Sequence, residues 1–152
     1  MVKEKEISWD NSFMEICETI VKRSHCLYVK AAVLIVDPET NNIISIWYNW
    51  PARWDVHCDK VWCAKIVDGV MCDHKDLCRW AHAEINAMVK CPMNTKGKIM
   101  YSTVSPCNNC AKAIVNSGIK KFVYKNSYED PNYKKEVLDY MKRLWIEVVK
   151  YN

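Results

Sequence analysis

Two short motifs place the tightest restriction on how this chain can fold: His82-Ala83-Glu84 and, further on, Pro106-Cys107-Asn108-Asn109-Cys110. One imidazole and two thiolates fill three positions of a tetrahedral Zn²⁺ and leave the fourth to solvent, the plan of a catalytic rather than a closed structural centre. Such a centre exists only if the fold carries both motifs to one point. Pro106 suits the first turn of a helix, and Cys107 and Cys110, three apart, project both sulfurs from one face of that turn. The positive end of the helix dipole favours thiolate over thiol, and a metal completes the deprotonation. Two thiolates cancel the charge of Zn²⁺, so water on such a centre needs help to lose a proton. Glu84, two positions beyond a ligand at a helix start, is the candidate helper and proton carrier. A structural zinc knuckle or a redox pair also uses Cys-x-x-Cys, but neither needs a spare carboxylate beside the metal.

At 152 residues the chain is long enough to bury most of the surface it would expose unfolded. Residues 1–152 are read as one domain. No apolar run is long enough to span a bilayer, and Met1 to Glu6 lacks the hydrophobic stretch of a signal peptide, so a cytoplasmic protein with no membrane partner is expected. Without an export signal the nine cysteines read as metal ligands and buried thiols rather than disulfides. A net charge of +4 helps to draw in a phosphorylated substrate but falls short of a nucleic-acid footprint. With three glycines the chain has no Gly-rich phosphate loop.

Trp9, Phe13, Ile16, Ile20 and Val21 recur at helical spacing after a possible N-cap, Ser8, and predict an amphipathic helix over 8–24. Ala31 to Val36 and Ile43 to Tyr48 are β-prone runs joined by Asp37-Pro38-Glu39-Thr40-Asn41-Asn42, a hairpin connection. Residues 50–80, rich in Trp, Cys and His, read as a long loop or a metal-pinned insertion. Helices are predicted over 81–91, 107–117 (ending at Gly118) and 131–145, and strands over 99–103, 122–124 and 146–149. That order implies an α/β fold, a three-layer α/β/α sandwich around a mixed, roughly five-stranded sheet. Both halves of the metal motif then open helices that can converge at one sheet edge.

The paired motif is the signature of zinc nucleobase deaminases, and the chain resembles the cytidine deaminase superfamily, more narrowly the deoxycytidylate (dCMP) deaminase family. His82-Ala83-Glu84-Ile85-Asn86-Ala87 is similar to that family's His-Ala-Glu-x-Asn-Ala block. Ser105-Pro106-Cys107-Asn108-Asn109-Cys110-Ala111-Lys112-Ala113-Ile114 with Ser117-Gly118-Ile119-Lys120-Lys121 is similar to its second block. The resemblance covers most of the chain and weakens between residues 50 and 80. It implies zinc on His82, Cys107 and Cys110, Glu84 as proton shuttle, and hydrolysis of dCMP to dUMP and ammonia. It further implies substrate contacts from Asn49, Ser105 and Tyr128, and a homo-oligomer, often a hexamer.

The chain also departs from the family. Members commonly read Gly-Tyr-Asn-Gly where this chain has Trp47-Tyr48-Asn49-Trp50. Glycine admits a phosphate close to the backbone and tryptophan does not, which puts control by dCTP and dTTP in question. Trp47, Trp50 and Trp54 are read as interface core in preference to an altered base or phosphate pocket, and Arg53 and Lys30 are the nearest candidates for phosphate contact. The resemblance also suggests a second, structural zinc, held by Cys26, Cys58, His74 and Cys78, with buried free cysteines as the alternative. Deamination of a modified dCMP, a free base, a nucleoside or a tRNA adenosine stays open. So does, in another class, a zinc-stabilised interaction module without turnover.

Overall fold

The computed structural model describes residues 6–71, 78–128 and 136–152. In chain order the elements are helix α1 (Trp9–Ile20), strands β1 (Ala32–Val36), β2 (Ile43–Tyr48) and β3 (Trp50–Pro51), helix α2 (Cys58–Val61), strands β4 (Ile66–Val67), β5 (Val70–Met71) and β6 (Trp80–Ala81), helix α3 (Ala83–Val89), strand β7 (Ile99–Val104), helix α4 (Asn108–Asn116), strand β8 (Lys121–Asn126), helix α5 (Glu136–Arg143) and strand β9 (Glu147–Lys150). Five strands form one sheet in the order β2-β1-β7-β8-β9. The β1–β2 and β1–β7 pairs are antiparallel, and β7, β8 and β9 run parallel. The mixed sheet and the parallel second half match the sequence expectation.

β1 shows why a layered arrangement forms. All five of its residues are buried, as in a central strand covered on both faces. Side chains alternate across the pleat. Val33 and Ile35 join Ala83 and Ala87 of α3, Ala111 and Ile114 of α4, and Val137 and Met141 of α5 in one core. Leu34 and Val36 face the other way, against Phe13, Met14 and Cys17 of α1. Each fully buried Val, Leu or Ile contributes about 1.5–3 kcal/mol, so the strand holds both helix layers. Ser8 caps α1, its Oγ accepting from Asn11 N at 3.2 Å. α4 ends before Gly118, whose φ of +75° is a conformation that favours glycine.

Residues 50–80 differ from an open loop. Trp50 and Pro51 pair with Ala81 and Trp80, so β3 and β6 close the insertion at its base, while β4 and β5 form a second minimal ribbon. Inside the closure Cys58, Cys63 and Trp80 are buried, with Cys26, Trp50, Ile66 and Cys78 packed on them. No helix among the described residues is long and apolar enough to cross a membrane.

Candidate active site

His82 and Cys107 hold the same station on two helices. Each immediately precedes the first helical residue, of α3 and α4 respectively, with extended backbone (φ −66°, ψ 153° and φ −71°, ψ 169°). A polar residue at this position often bonds back to the first helical N–H groups. Neither side chain does so here, and both turn to a shared point. Pro106 consequently lies before the helix cap rather than in the first turn. Cys110 follows as the third residue of α4 and Glu84 as the second of α3.

His82 Nδ1 lies 3.4 Å from Cys107 Sγ and 3.3 Å from Cys110 Sγ, and all three ligand atoms fall within 4.8 Å of one another. Zinc bonds of about 2.0–2.3 Å in a tetrahedron give nitrogen–sulfur edges of about 3.5 Å. The separations therefore fit a single zinc ion. Cys107 is held far below the ordinary thiol value, at about 4, chiefly by its hydrogen bond with Cys110, with His82 adding to the pull. The same hydrogen bond, burial and the charge of Glu84 push Cys110 up. Two sulfurs sharing one proton against an imidazole are a ligand set that a divalent cation deprotonates and completes. The hydrogen bond shared with Cys107 raises His82 despite its burial.

Glu84 is 5 % exposed. Burial drives its carboxyl upward, with His82 pulling the other way. A carboxyl whose proton affinity is raised beside a metal site is suited to take and return a proton.

Helix α3 is fastened where it matters. Asn86 Nδ2 donates to Tyr48 O and to Ala81 O, both at 3.2 Å, and Ser45 Oγ donates to Ala87 O at 2.7 Å. Asn86 stands in the motif as a family residue without an assigned task; its bond to Ala81, the neighbour of His82, gives it one. The ends of β7 and β8 are joined in a similar way. Ser105 N donates to Asn126 O, and Ser105 Oγ accepts from Tyr128 N, both at 2.8 Å.

A cavity opens from these groups, lined by His82, Glu84 and Cys107 together with Asn49, Ser105 and Tyr128. Asn49 is buried, its amide accepting from Ala31 N at 2.9 Å and donating to Val29 O at 2.8 Å. It therefore shapes the wall by holding residues 29–31, leaving one lone pair and one N–H for a ligand. Arg53 is exposed and absent from the cavity lining. The short β3–β6 ribbon ends at Pro51, two residues before it. Lys30 is exposed too and lines a separate surface depression with Lys22 and Glu18. Sequence reasoning passed over Lys65, Tyr28 and Trp80, which do line the cavity.

Of the tryptophans read as interface core, Trp47 stacks on Tyr48 and carries Lys90 Nζ 3.3 Å above its ring. Trp50 packs edge-on against His57 and Trp80. Both are occupied within the chain, whereas Trp54 is 93 % exposed. Cys26, Cys58 and Cys78 gather in the small core around Trp80, and Cys63 joins them. Trp80 Nε1 donates to Cys58 Sγ at 2.9 Å, and burial raises the Cys78 thiol. His74 lies outside the described residues. Among the described residues, the ligand atoms that come within 4.8 Å of one another are those of His82, Cys107 and Cys110.

A profile of the cytidine and deoxycytidylate deaminase zinc-binding region matches residues 7–126. Deoxycytidylate deaminase of Schizosaccharomyces pombe is 32 % identical over 124 residues, covering 80 % of this chain and 38 % of that protein. ComE operon protein 2 of Bacillus subtilis is 30 % identical over 138 residues, covering 89 % and 68 %. The chain thus spans well under half of the yeast relative and about two thirds of the bacterial one. The crystal structure of dCMP deaminase from the cyanophage S-TIM5, in complex with dCMP and dUMP, superposes with a TM-score of 0.75 at 25 % identity, covering 97 % of this chain and 100 % of that one. A match that runs through both motif blocks, on residues that the fold gathers at a single point, makes this chain a member of the cytidine and deoxycytidylate deaminase family.

Proposed function

We propose that the chain hydrolyses the amino group of dCMP, giving dUMP and ammonia. The observation that carries this reading is a buried carboxyl, Glu84, two residues from one member of a zinc-fitting triad, on the wall of a cavity that two of the three ligands, His82 and Cys107, also line. Relatives named deoxycytidylate deaminase and a neighbour crystallised with dCMP and dUMP support this substrate over other nucleobases.

His82, Cys107 and Cys110 hold the zinc, which when bound supplies a Lewis acid that makes solvent water a nucleophile near neutral pH. Glu84 accepts a proton from the attacking water and delivers it to the ring nitrogen next to the carbon under attack. It then carries the second water proton to the exocyclic nitrogen. The new carbon–oxygen bond stays, the carbon–nitrogen bond breaks, and ammonia leaves. Water is the only other reactant consumed. Burial of Glu84 raises its proton affinity, which favours its role as proton carrier. Asn49, Ser105 and Tyr128 position the nucleotide, with the tyrosine ring suited to the face of a base.

Glu84→Gln tests the mechanism. It should keep one zinc on the triad and lose at least about a thousandfold in kcat, the scale expected for a general acid–base group; ammonia release from dCMP at the native rate would remove Glu84 from the reaction. A panel of dCMP, 5-substituted dCMP, cytidine and guanine in the same assay separates the competing substrates.

A second, structural zinc belongs to the cysteine core around Trp80, with Cys26, Cys58, Cys63 and Cys78 as ligand pool and His74 as a further donor. Four thiols packed in or against one small core support it, and metal analysis at one zinc per chain would dismiss it.

A further inference from the structure

The proposed substrate carries a dianion at one end, yet the two cations that sequence proximity favoured, Arg53 and Lys30, are absent from the cavity lining. Lys65 takes their place. It shares that lining with His82, Glu84, Ser105 and Tyr128, and among the described lining residues it is the cation other than His82. Its position is set from both sides. Cys63, two residues earlier, is buried against Trp80. Ile66, the next residue, starts β4 and donates its N–H to Cys63 O at 3.0 Å.

Several other described cations are engaged elsewhere. Lys98 pairs with Asp37, Lys121 with Glu147, Lys125 with Glu18 and Arg79 with Asp55, while Lys90 lies over Trp47. Lys65 is half-buried, and among the described residues no carboxylate pairs with it. Glu84, the acid of the described lining, lies beside the metal ligands and carries the proton. A half-buried ammonium with three donors and no anion of its own among the described residues, on the wall of a cavity whose reactive end is already assigned, is suited to the phosphate of an entering nucleotide.

We infer that Lys65 is the specificity-determining residue that binds the 5′-phosphate, so that the site selects a nucleoside monophosphate over the bare nucleoside. The inference rests on the proposed deaminase reading, because that reading sets the base at the zinc triad and so leaves the phosphate for the rest of the cavity. The insertion of residues 50–80 thereby becomes the segment that chooses the substrate's phosphorylation state. The competing task for Lys65 is to balance the charge of the neighbouring Cys63 and Cys78. That task predicts losses indifferent to phosphate.

Calorimetric binding of dUMP and deoxyuridine to the zinc-loaded protein, with Lys65→Met and Lys65→Arg beside the native chain, separates these roles. Methionine keeps most of the apolar stem and removes the charge. Zinc content confirms that the fold is retained. Lys65→Met should weaken dUMP by at least about tenfold, leave deoxyuridine within about twofold, and be largely rescued in Lys65→Arg. In turnover the same loss should fall on KM for dCMP rather than on kcat. Native-strength dUMP binding by Lys65→Met, an equal loss for both ligands, or a native protein that binds dUMP no better than deoxyuridine would overturn the assignment. A protein that discriminates dUMP through Lys65 but releases no ammonia from dCMP would refute the deaminase reading and leave the phosphate contact standing.

Discussion

Asn86 offers the sharpest test of how the fold holds the metal site. Its Nδ2 bridges Tyr48 O at the end of β2 and Ala81 O immediately before His82. Both bonds are 3.2 Å long, at the outer end of the ordinary range. A neutral hydrogen bond contributes about 1 kcal/mol net, and an orphaned buried carbonyl costs about 1–3 kcal/mol. Asn86 is half-buried, so water can partly repair the loss. Asn86→Ala should therefore cost about 2 kcal/mol, which lowers Tm by about 4–8 °C for a domain of this size. Asn86→Asp is nearly isosteric but replaces the shared donor with an acceptor facing two carbonyl oxygens. It should cost more than alanine, and the gap should narrow as pH falls and the carboxyl gains a proton to donate.

The same bridge fixes the backbone entering His82, so its removal reaches the metal. Outer-shell groups that orient a ligand typically govern about 10–100-fold in affinity, and Asn86→Ala should fall in that interval when zinc is measured by chelator competition. Thermal unfolding with and without zinc reports both effects on the same samples. A Tm within 1 °C of native by rough criterion, or alanine and aspartate behaving alike at neutral pH, would show that Asn86 does not hold α3 in place.

The remaining tests concern the two thiol-rich regions. Cys17 lies against α1's core, and burial pushes its thiol up from 9.0 to about 12. Its folded value exceeds its unfolded one, so its contribution to stability is complete below pH 9 and is lost as pH rises toward 12; urea unfolding from pH 8 upward should show a shallower decline in Cys17→Ala than in the native chain, and equal slopes would contradict the burial argument. In the core around Trp80, Cys63→Ser should lower the metal content from two zinc ions per chain to one and destabilise the insertion, while the triad keeps its ion.

The metal triad and Glu84 are legible in sequence because metal chemistry fixes residue type and spacing before any fold is known. β1, β2 and β7 are legible for a similar reason, since runs such as Ala32–Val36 are too apolar to lie anywhere but between two layers. The insertion resists reading because β3, β4, β5 and β6 are two residues each, too short for a period-two pattern. The role of a cation is equally hidden there, because it depends on which wall the side chain joins. Arg53 drew attention by standing close in sequence to Asn49, yet it is exposed outside the lining, whereas Lys65 is drawn in by Cys63 and β4. Trp50 followed the composition of an interface but found His57 and Trp80 within its own chain.

The raised proton affinity of Glu84 and the position of His82 have one structural origin. Ala83 and Ala87 are fully buried and pack α3 directly on the core that contains Val33 and Ile35 of β1. Side chains this small suit close packing of the helix on the sheet, and Glu84, on the same first turn, is buried at the cavity wall. Desolvation then raises its proton affinity. The same seating, secured by Ser45 and Asn86, sets where the helix begins and so where His82 meets the two sulfurs. Placing acid and ligand two residues apart on one closely packed turn couples the basicity of the proton carrier to the geometry of the metal. A helix that lifted from the sheet would loosen the triad and hydrate Glu84 together, so the two properties cannot drift apart in this fold.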